Sequence, residues 1–145
     1  MTGTGRVEAK PTFASFDEWE GTVPEVIRMD PLWSSVAYRK ALFLYDLVWA
    51  DCEQLMRDPR GRAIVSQIVG SAGSISANIE EGYGRGFSKD RDHFLRISIG
   101  SIRETRGWYF RSHQLLSAEV LLHRMSLASE VLALLVNELA KHRRP

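Results

Sequence analysis

Apolar residues recur at intervals of three and four along four stretches of the chain, which is the periodicity of amphipathic helices. Each stretch starts with a residue typical of a helix N-terminus, an Asp before a Pro or a Ser. The four stretches start at Asp30-Pro31, Asp58-Pro59, Ser88 and Ser117, and the first two end near Arg57 and Gly82. Long helices joined by short loops predict an all-α fold, an antiparallel up-down four-helix bundle over residues 30–145.

The first 29 residues lack this periodicity. They contain three glycines and two prolines, so they predict an irregular N-terminal arm that is separate from the bundle domain. Phe13, Phe16 and Trp19 are spaced by three residues, which would allow a short helical turn in the arm to dock on the bundle.

The second predicted helix is rich in small residues. A glycine inside a helix costs about 1 kcal/mol relative to alanine, so glycines at such positions indicate that a neighbouring helix comes close. We expect close helix packing at Gly70, Gly73, Ser74 and Ala77. Glycines also follow this helix in residues 82–86, where they are typical of a helix C-cap and turn. A phosphate-binding loop would follow a strand and contain Gly-Lys-Ser/Thr, which is absent.

Three polar residues near the end of this helix and one on the third helix form a candidate site: Asn78, Glu81 and Arg85, with Glu104. Glu81 and Arg85 are four positions apart and can pair on one helix face. One interpretation is a polar network that fixes the register of the second and third helices. The alternative is a carboxylate pair that binds a small ligand or serves an enzyme.

The chain lacks the residue patterns of common catalytic and metal sites. Di-iron bundles use Glu-x-x-His, but Glu precedes none of the four histidines at that spacing. A Gly-x-Ser-x-Gly elbow is also missing. The sequence therefore predicts a protein that is not an enzyme and uses no metal or cofactor. The single cysteine, Cys52, fits a cytoplasmic location, and the lack of a run of about 20 apolar residues predicts no membrane partner.

The net charge of +1 conceals a basic third helix. Residues 85–116 contain seven Lys or Arg against three Asp or Glu, a net charge of +4. The candidate contact residues are Lys89, Arg96 and Arg103, which are seven positions apart, together with Arg106 and Arg111. Nucleic acid and an acidic protein face are the partners that fit such a surface, and a solvated face is the alternative. Base stacking is not indicated, because no aromatic residue clearly interleaves with the basic ones.

Two blocks of the sequence resemble a known family. Residues 74–85, Ser-Ile-Ser-Ala-Asn-Ile-Glu-Glu-Gly-Tyr-Gly-Arg, are similar to the signature of the four helix bundle protein family, first named for reading frames in intervening sequences of large-subunit ribosomal RNA. Residues 94–104 are similar to its second block, with its Gly-Ser-x-x-Glu, and Trp33 matches an aromatic at the start of the first helix. The resemblance covers about residues 31–140.

The resemblance implies a bundle that assembles into a homopentamer. A related protein, the accessory variability protein of diversity-generating retroelements, is a strongly basic pentamer that binds a reverse transcriptase and nucleic acid, whereas the present chain is nearly neutral. Leu42 and Leu47 lie off the main apolar stripe of the first helix, and a second apolar face usually marks an interface. We expect an oligomeric binding or scaffold module. The alternatives are RNA or DNA binding by the basic third helix in a pentamer, and ligand binding or catalysis by Glu81, Arg85 and Glu104.

Overall fold

A computed structural model describes residues 15–86 and 88–143, and these residues form helices and no strand. Two short helices and a 3-10 turn come first, and four long helices follow. The elements are α1 Phe16–Glu20, α2 Glu25–Arg28, the 3-10 turn Pro31–Ser34, α3 Val36–Leu55, α4 Pro59–Tyr83, α5 Lys89–Arg111 and α6 Ala118–Lys141. The predicted all-α fold is confirmed for this part of the chain.

The four long helices lie side by side, and each packs against two others. α3 contacts α4 and α6, and α5 contacts the same two helices. The connections between consecutive long helices are short, so neighbours run antiparallel. α4 and α6 therefore occupy opposite corners of the bundle and run in the same direction.

The helix starts follow the capping residues in three of four cases. α4 and α6 begin where predicted: Asp58 accepts a hydrogen bond from the backbone N–H of Arg60 at 2.8 Å, and Ser117 accepts one from Val120 at 3.2 Å. α5 begins directly after Ser88, although the Ser88 side chain makes no capping hydrogen bond. The predicted start of the first long helix at Asp30-Pro31 is wrong, because those residues open a 3-10 turn. α3 begins at Val36, after the chain becomes extended at its cap, Ser35.

Two short helices replace the predicted irregular arm over residues 16–28. Trp19 on α1 is only 3 % exposed and belongs to the core of the bundle. Its ring lies 5.5 Å from that of Phe43, and its Nε1 donates a hydrogen bond to Asp46 at 2.7 Å. The docking of a helical turn predicted from Phe16 and Trp19 is therefore present, while Phe13 lies outside the described residues.

Each long helix contributes fully buried side chains to one core. Leu44 of α3, Ile75 of α4, Ile102 of α5 and Leu135 of α6 are all 0 % exposed. Complete burial of such a side chain stabilises the fold by about 1.5–3 kcal/mol. The core therefore accounts for the packing of α3 to α6 without any further partner.

Candidate functional site

The polar residues singled out in the sequence form local pairs and do not meet at one site. Arg85, which lies just beyond the end of α4, donates to Glu81 at 2.7 Å, and both side chains are exposed. Glu104 accepts a hydrogen bond from the indole of Trp108, one turn along α5. Asn78 donates to Ser74. The expected pair of Glu81 and Arg85 is therefore present. The four residues do not form one network, however, and the carboxylates of Glu81 and Glu104 are not held together for binding or catalysis.

Hydroxyl groups, which the sequence analysis passed over, connect α4 to α5. Ser101 donates to Ser74 Oγ at 2.8 Å, and Thr105 Oγ1 lies 2.9 Å from Ser71 Oγ. Ser98, which is fully buried, donates to the backbone carbonyl of Ile75 at 2.9 Å. These hydroxyl groups form hydrogen bonds between the two helices, and their side chains are small enough for the two backbones to stay close. Ser74 is thus the only member of the predicted small-residue set that lies in a hydrogen-bonded seam among the described residues.

Of the other small residues singled out on α4, Gly70 and Ala77 lie on the exposed surface, whereas Gly73 packs against α3. Gly70 is exposed, and a Cβ atom built on it meets no atom within 4 Å. Ala77 is also exposed, and Gly73 packs against the ring of Tyr45. Helices approach closely at Gly73, where an added Cβ would lie 3.3 Å from the ring of Tyr45, and at Gly82, where it would lie 3.1 Å from the Cβ of Phe94. The prediction of a tight crossing at Gly70 is therefore wrong within the chain.

A buried ionic cluster joins three helices at one end of the bundle. Arg124 of α6 donates two hydrogen bonds to the carboxylate of Asp51 of α3, from Nε at 2.8 Å and from Nη2 at 3.1 Å. Tyr109 of α5 donates its phenol to the same carboxylate at 2.7 Å. The side chains of Asp51 and Arg124 are each 9 % exposed. Because removing one partner leaves a buried charge unpaired, the cluster locks the relative positions of α3, α5 and α6.

The protonation states of the groups in and beside this cluster favour a structural role for it. Burial first, and then the charge of Asp51, raises the pKa of Tyr109 well above its ordinary value, so the phenol keeps its proton. Burial tends to lower the pKa of Arg124, but its hydrogen bonds and charge interaction with Asp51 outweigh this and raise it. Burial, and to a lesser degree the charge of Asp51, raises the pKa of Cys52 to about 11. The thiol is therefore protonated at neutral pH and is a poor nucleophile.

His123 lies at the outer edge of this cluster. Its Nδ1 is 2.7 Å from Nη1 of Arg124, which has only hydrogens to donate, so the ring nitrogen accepts. Partial burial, followed by the positive charge of Arg124, lowers the pKa of His123. The imidazole is consequently neutral at pH 7. Among the described residues no group of three or more His, Cys, Asp or Glu is placed to hold a metal ion.

The basic residues of α5 form an exposed line. Lys89, Arg96 and Arg103 are all exposed, and none of them makes an ion pair with another described residue. The rise of a helix places successive members about 10 Å apart. Arg106 is partly buried and donates to Ser129 of α6 at 3.1 Å, and Arg111 lies over the ring of Trp108. Three of the five predicted contact residues are therefore free for a partner.

An aromatic platform lies at the end of this line. Phe110 is 59 % exposed, and its ring stacks on that of His113 with the centroids 5.3 Å apart. The sequence analysis missed this feature, because Phe110 was not assigned to the outward face of the helix. Its position seven residues after Arg103 was the available signal.

Two uncharged outer faces lie on opposite corners of the bundle. The α4 face consists of Ala63, Ser66, Gly70, Gly73 and Ala77, and the chain has no charged residue between Arg62 and Glu80. The α6 face consists of Leu122, Ser126, Ser129, Ala133, Val136 and Ala140, all exposed. Both sets follow the alternating spacing of three and four residues that defines one side of a helix.

Large apolar side chains are exposed on or beside these faces. Leu122 of the α6 face is 69 % exposed and Val136 is 43 % exposed. Trp49 of α3 is 64 % exposed and lies next to Tyr45, whose ring contacts Gly73 of the α4 face. Nothing in the described chain covers these side chains, so they are available to a partner.

The described residues thus form an all-helical bundle with a buried ionic cluster and exposed apolar faces. A family model described as 23S rRNA-intervening sequence protein matches residues 34–137, most of the chain, and the protein belongs to this family. The family resemblance that residues 74–85 and 94–104 indicated is thereby confirmed. No curated protein matches the sequence.

The fold is similar to that of a solved structure. A crystal structure of a protein with unknown function from the S23 ribosomal protein family of Bacteroides thetaiotaomicron VPI-5482 superimposes with a TM-score of 0.66. The match covers 72 % of this chain and 98 % of that one, at 22 % sequence identity. At this identity the similarity concerns the fold. None of the described helices is long and apolar enough to cross a membrane.

Proposed function

We propose that this protein is a non-enzymatic scaffold that assembles with copies of itself, as the homopentamer implied by its family resemblance. The observation that carries the proposal is the set of exposed apolar side chains on helices that already bury a complete core. Leu122, Trp49 and Val136 are the clearest cases. Monomeric soluble proteins seldom expose contiguous apolar patches larger than about a few hundred Å², and patches above that size commonly mark interfaces.

The composition of the α4 face also supports self-association. A helix on the surface of a monomer normally carries charged residues on its outer side, but α4 carries none between Arg62 and Glu80. Each exposed glycine in the helix costs about 1 kcal/mol relative to alanine, and Gly70 has no neighbour within its own chain to explain it. Close packing of a second copy against α4 explains why a glycine occupies this position.

The proposal is tested by measuring the mass of the native assembly. Sedimentation at several micromolar concentrations should show one oligomer of defined size. A chain that remains monomeric over that range contradicts the proposal.

Nucleic-acid binding along α5 is a second candidate function. It is supported by the free cations Lys89, Arg96 and Arg103, and by the stacked rings of Phe110 and His113, which offer a surface for a base. An oligomer would repeat this surface in every copy and raise its avidity for a long strand.

Changing Lys89, Arg96 and Arg103 to glutamine tests whether these residues contact nucleic acid or are only solvated. If the three residues contact phosphates, wild-type binding to mixed-sequence RNA falls with salt, and the variant loses about one unit of salt slope per contact. A matched variant, Arg60→Gln, removes a cation from a different surface, where it pairs with Asp58, and should bind as the wild type does. Absence of wild-type binding at physiological salt rejects this second function.

A further inference from the structure

We infer that the copies join through two different surfaces, with the α4 face of one copy packed parallel to and in register with the α6 face of the next. The inference rests on the proposed self-assembly and specifies its interface. The two faces are unlike, since the α4 face has only small side chains while the α6 face carries Leu122 and Val136. A two-fold contact of either face with itself would leave the other face uncovered. A contact between unlike faces on opposite corners covers both, and its repetition gives a closed ring when the rotation between neighbouring copies closes, as the homopentamer of the proposed function requires.

Contacts with α5 fix the relative heights of the two faces. Thr105 and Arg106 are consecutive residues of α5, and they contact Ser71 of α4 and Ser129 of α6. Gly70 and Ser129 therefore lie at nearly the same height along the bundle. Because both helices rise at the same rate in the same direction, every residue of the α4 face is level with a residue 59 positions later on α6.

This register brings small residues opposite large ones in an assembly with its rotation axis along the bundle. Such a rotation changes neither the direction of a helix nor the height of a residue. Ala63 of one copy is then level with Leu122 of the next, and Ala77 is level with Val136. A small residue on one helix leaves room for the larger side chain of its neighbour, which is the requirement for close helix packing.

The charges at the helix ends favour the same orientation. In the parallel arrangement, Arg62 near the start of α4 lies close to Glu119 near the start of α6, and Glu81 lies close to Lys141. An antiparallel arrangement would instead place Arg62 near Lys141 and Glu81 near Glu119, which brings like charges together. Complementary charges at the rim of an interface select one orientation over another.

Paired cysteines test the inference directly. Ala77→Cys and Val136→Cys in one chain introduce thiols at opposite corners of the bundle, so a disulfide between them joins two chains. The native thiol of Cys52 is buried and does not compete. On mild oxidation we expect a ladder of covalent multimers, reaching the size of the native assembly, on non-reducing denaturing gels. The matched control combines Ala77→Cys with Leu122→Cys. Position 122 lies about 21 Å along α6 from the position that is level with Ala77, which is far beyond the span of a disulfide.

Each other outcome has a distinct meaning. Covalent dimers formed by Ala77→Cys alone or by Val136→Cys alone indicate a two-fold contact and overturn the inference. A native oligomer that the cysteine pair does not cross-link overturns the inference and leaves the proposed self-assembly intact. A monomer by sedimentation overturns both. An equal ladder from the control pair rejects the register.

Discussion

Replacing Arg124 by methionine should cause a large loss of stability, because it removes one half of the buried ion pair with Asp51. Methionine has a similar length and keeps the apolar stem of the side chain. The carboxylate of Asp51, however, loses two hydrogen bonds at 2.8 and 3.1 Å and keeps only that from Tyr109. It is left charged in a position where its side chain is 9 % exposed.

The structure sets the size of this effect. Loss of one partner of a buried ion pair costs about 3–5 kcal/mol, a large part of the 5–15 kcal/mol typical of a folded domain. The double variant Asp51→Leu with Arg124→Met removes both charges, so its main residual cost is the unpaired phenol of Tyr109, about 1–3 kcal/mol. The double variant should therefore be more stable than the single variant Arg124→Met.

Urea unfolding followed by far-UV circular dichroism, at one protein concentration, measures these free energies. The matched control is Arg85→Met, which breaks the exposed pair with Glu81, where the side chains are 47 % and 53 % exposed. Exposed pairs of this spacing contribute about 0.3–0.5 kcal/mol. If Arg124→Met costs no more than Arg85→Met, or if the double variant is the less stable of the two Arg124 variants, the structural role assigned to the cluster is refuted.

Two further predictions concern the α4 face and His123. Gly70→Arg should dissociate the assembly without unfolding the chain, because the new side chain meets nothing in its own subunit. The control Gly100→Arg changes an equally open glycine on α5 and should leave the assembly intact. Equal sedimentation of the two variants would contradict an interface at α4. Because the pKa of His123 is lowered in the folded state, its contribution to stability is complete above the unfolded pKa of about 6.5 and is lost as the pH falls from that value through the lower pKa of the folded state. Urea midpoints at several pH values should show this decline in the wild type and a weaker one in His123→Gln, and identical profiles would contradict the contact with Arg124.

The positions of α4, α5 and α6 were predictable because local signals agree with one another. Caps at Asp58, Ser88 and Ser117 precede apolar residues at helical spacing. The start of α3 was not predictable in the same way. An Asp cap followed by a proline suits the first turn of an α-helix and of a 3-10 helix equally, and only the packing of Leu32 and Trp33 distinguishes them.

The candidate sites were harder to predict, because they depend on which helix faces meet. Asp51 and Arg124 are 73 positions apart, and nothing local links them. Their placement within apolar stripes was the one available sign that both charges are buried. Spacing alone could not show that Ser74 points at α5 while Gly70 points away from the rest of the described chain.

The native mass of the assembly tests the central claim most directly. Native mass spectrometry of the full chain at micromolar concentration should give one dominant species at five times the 16.5 kDa chain mass. A single closed species is expected because unlike faces that pair head to tail leave no free face in a ring. A spectrum that contains only the monomer would contradict the proposal that this protein is a self-assembling scaffold.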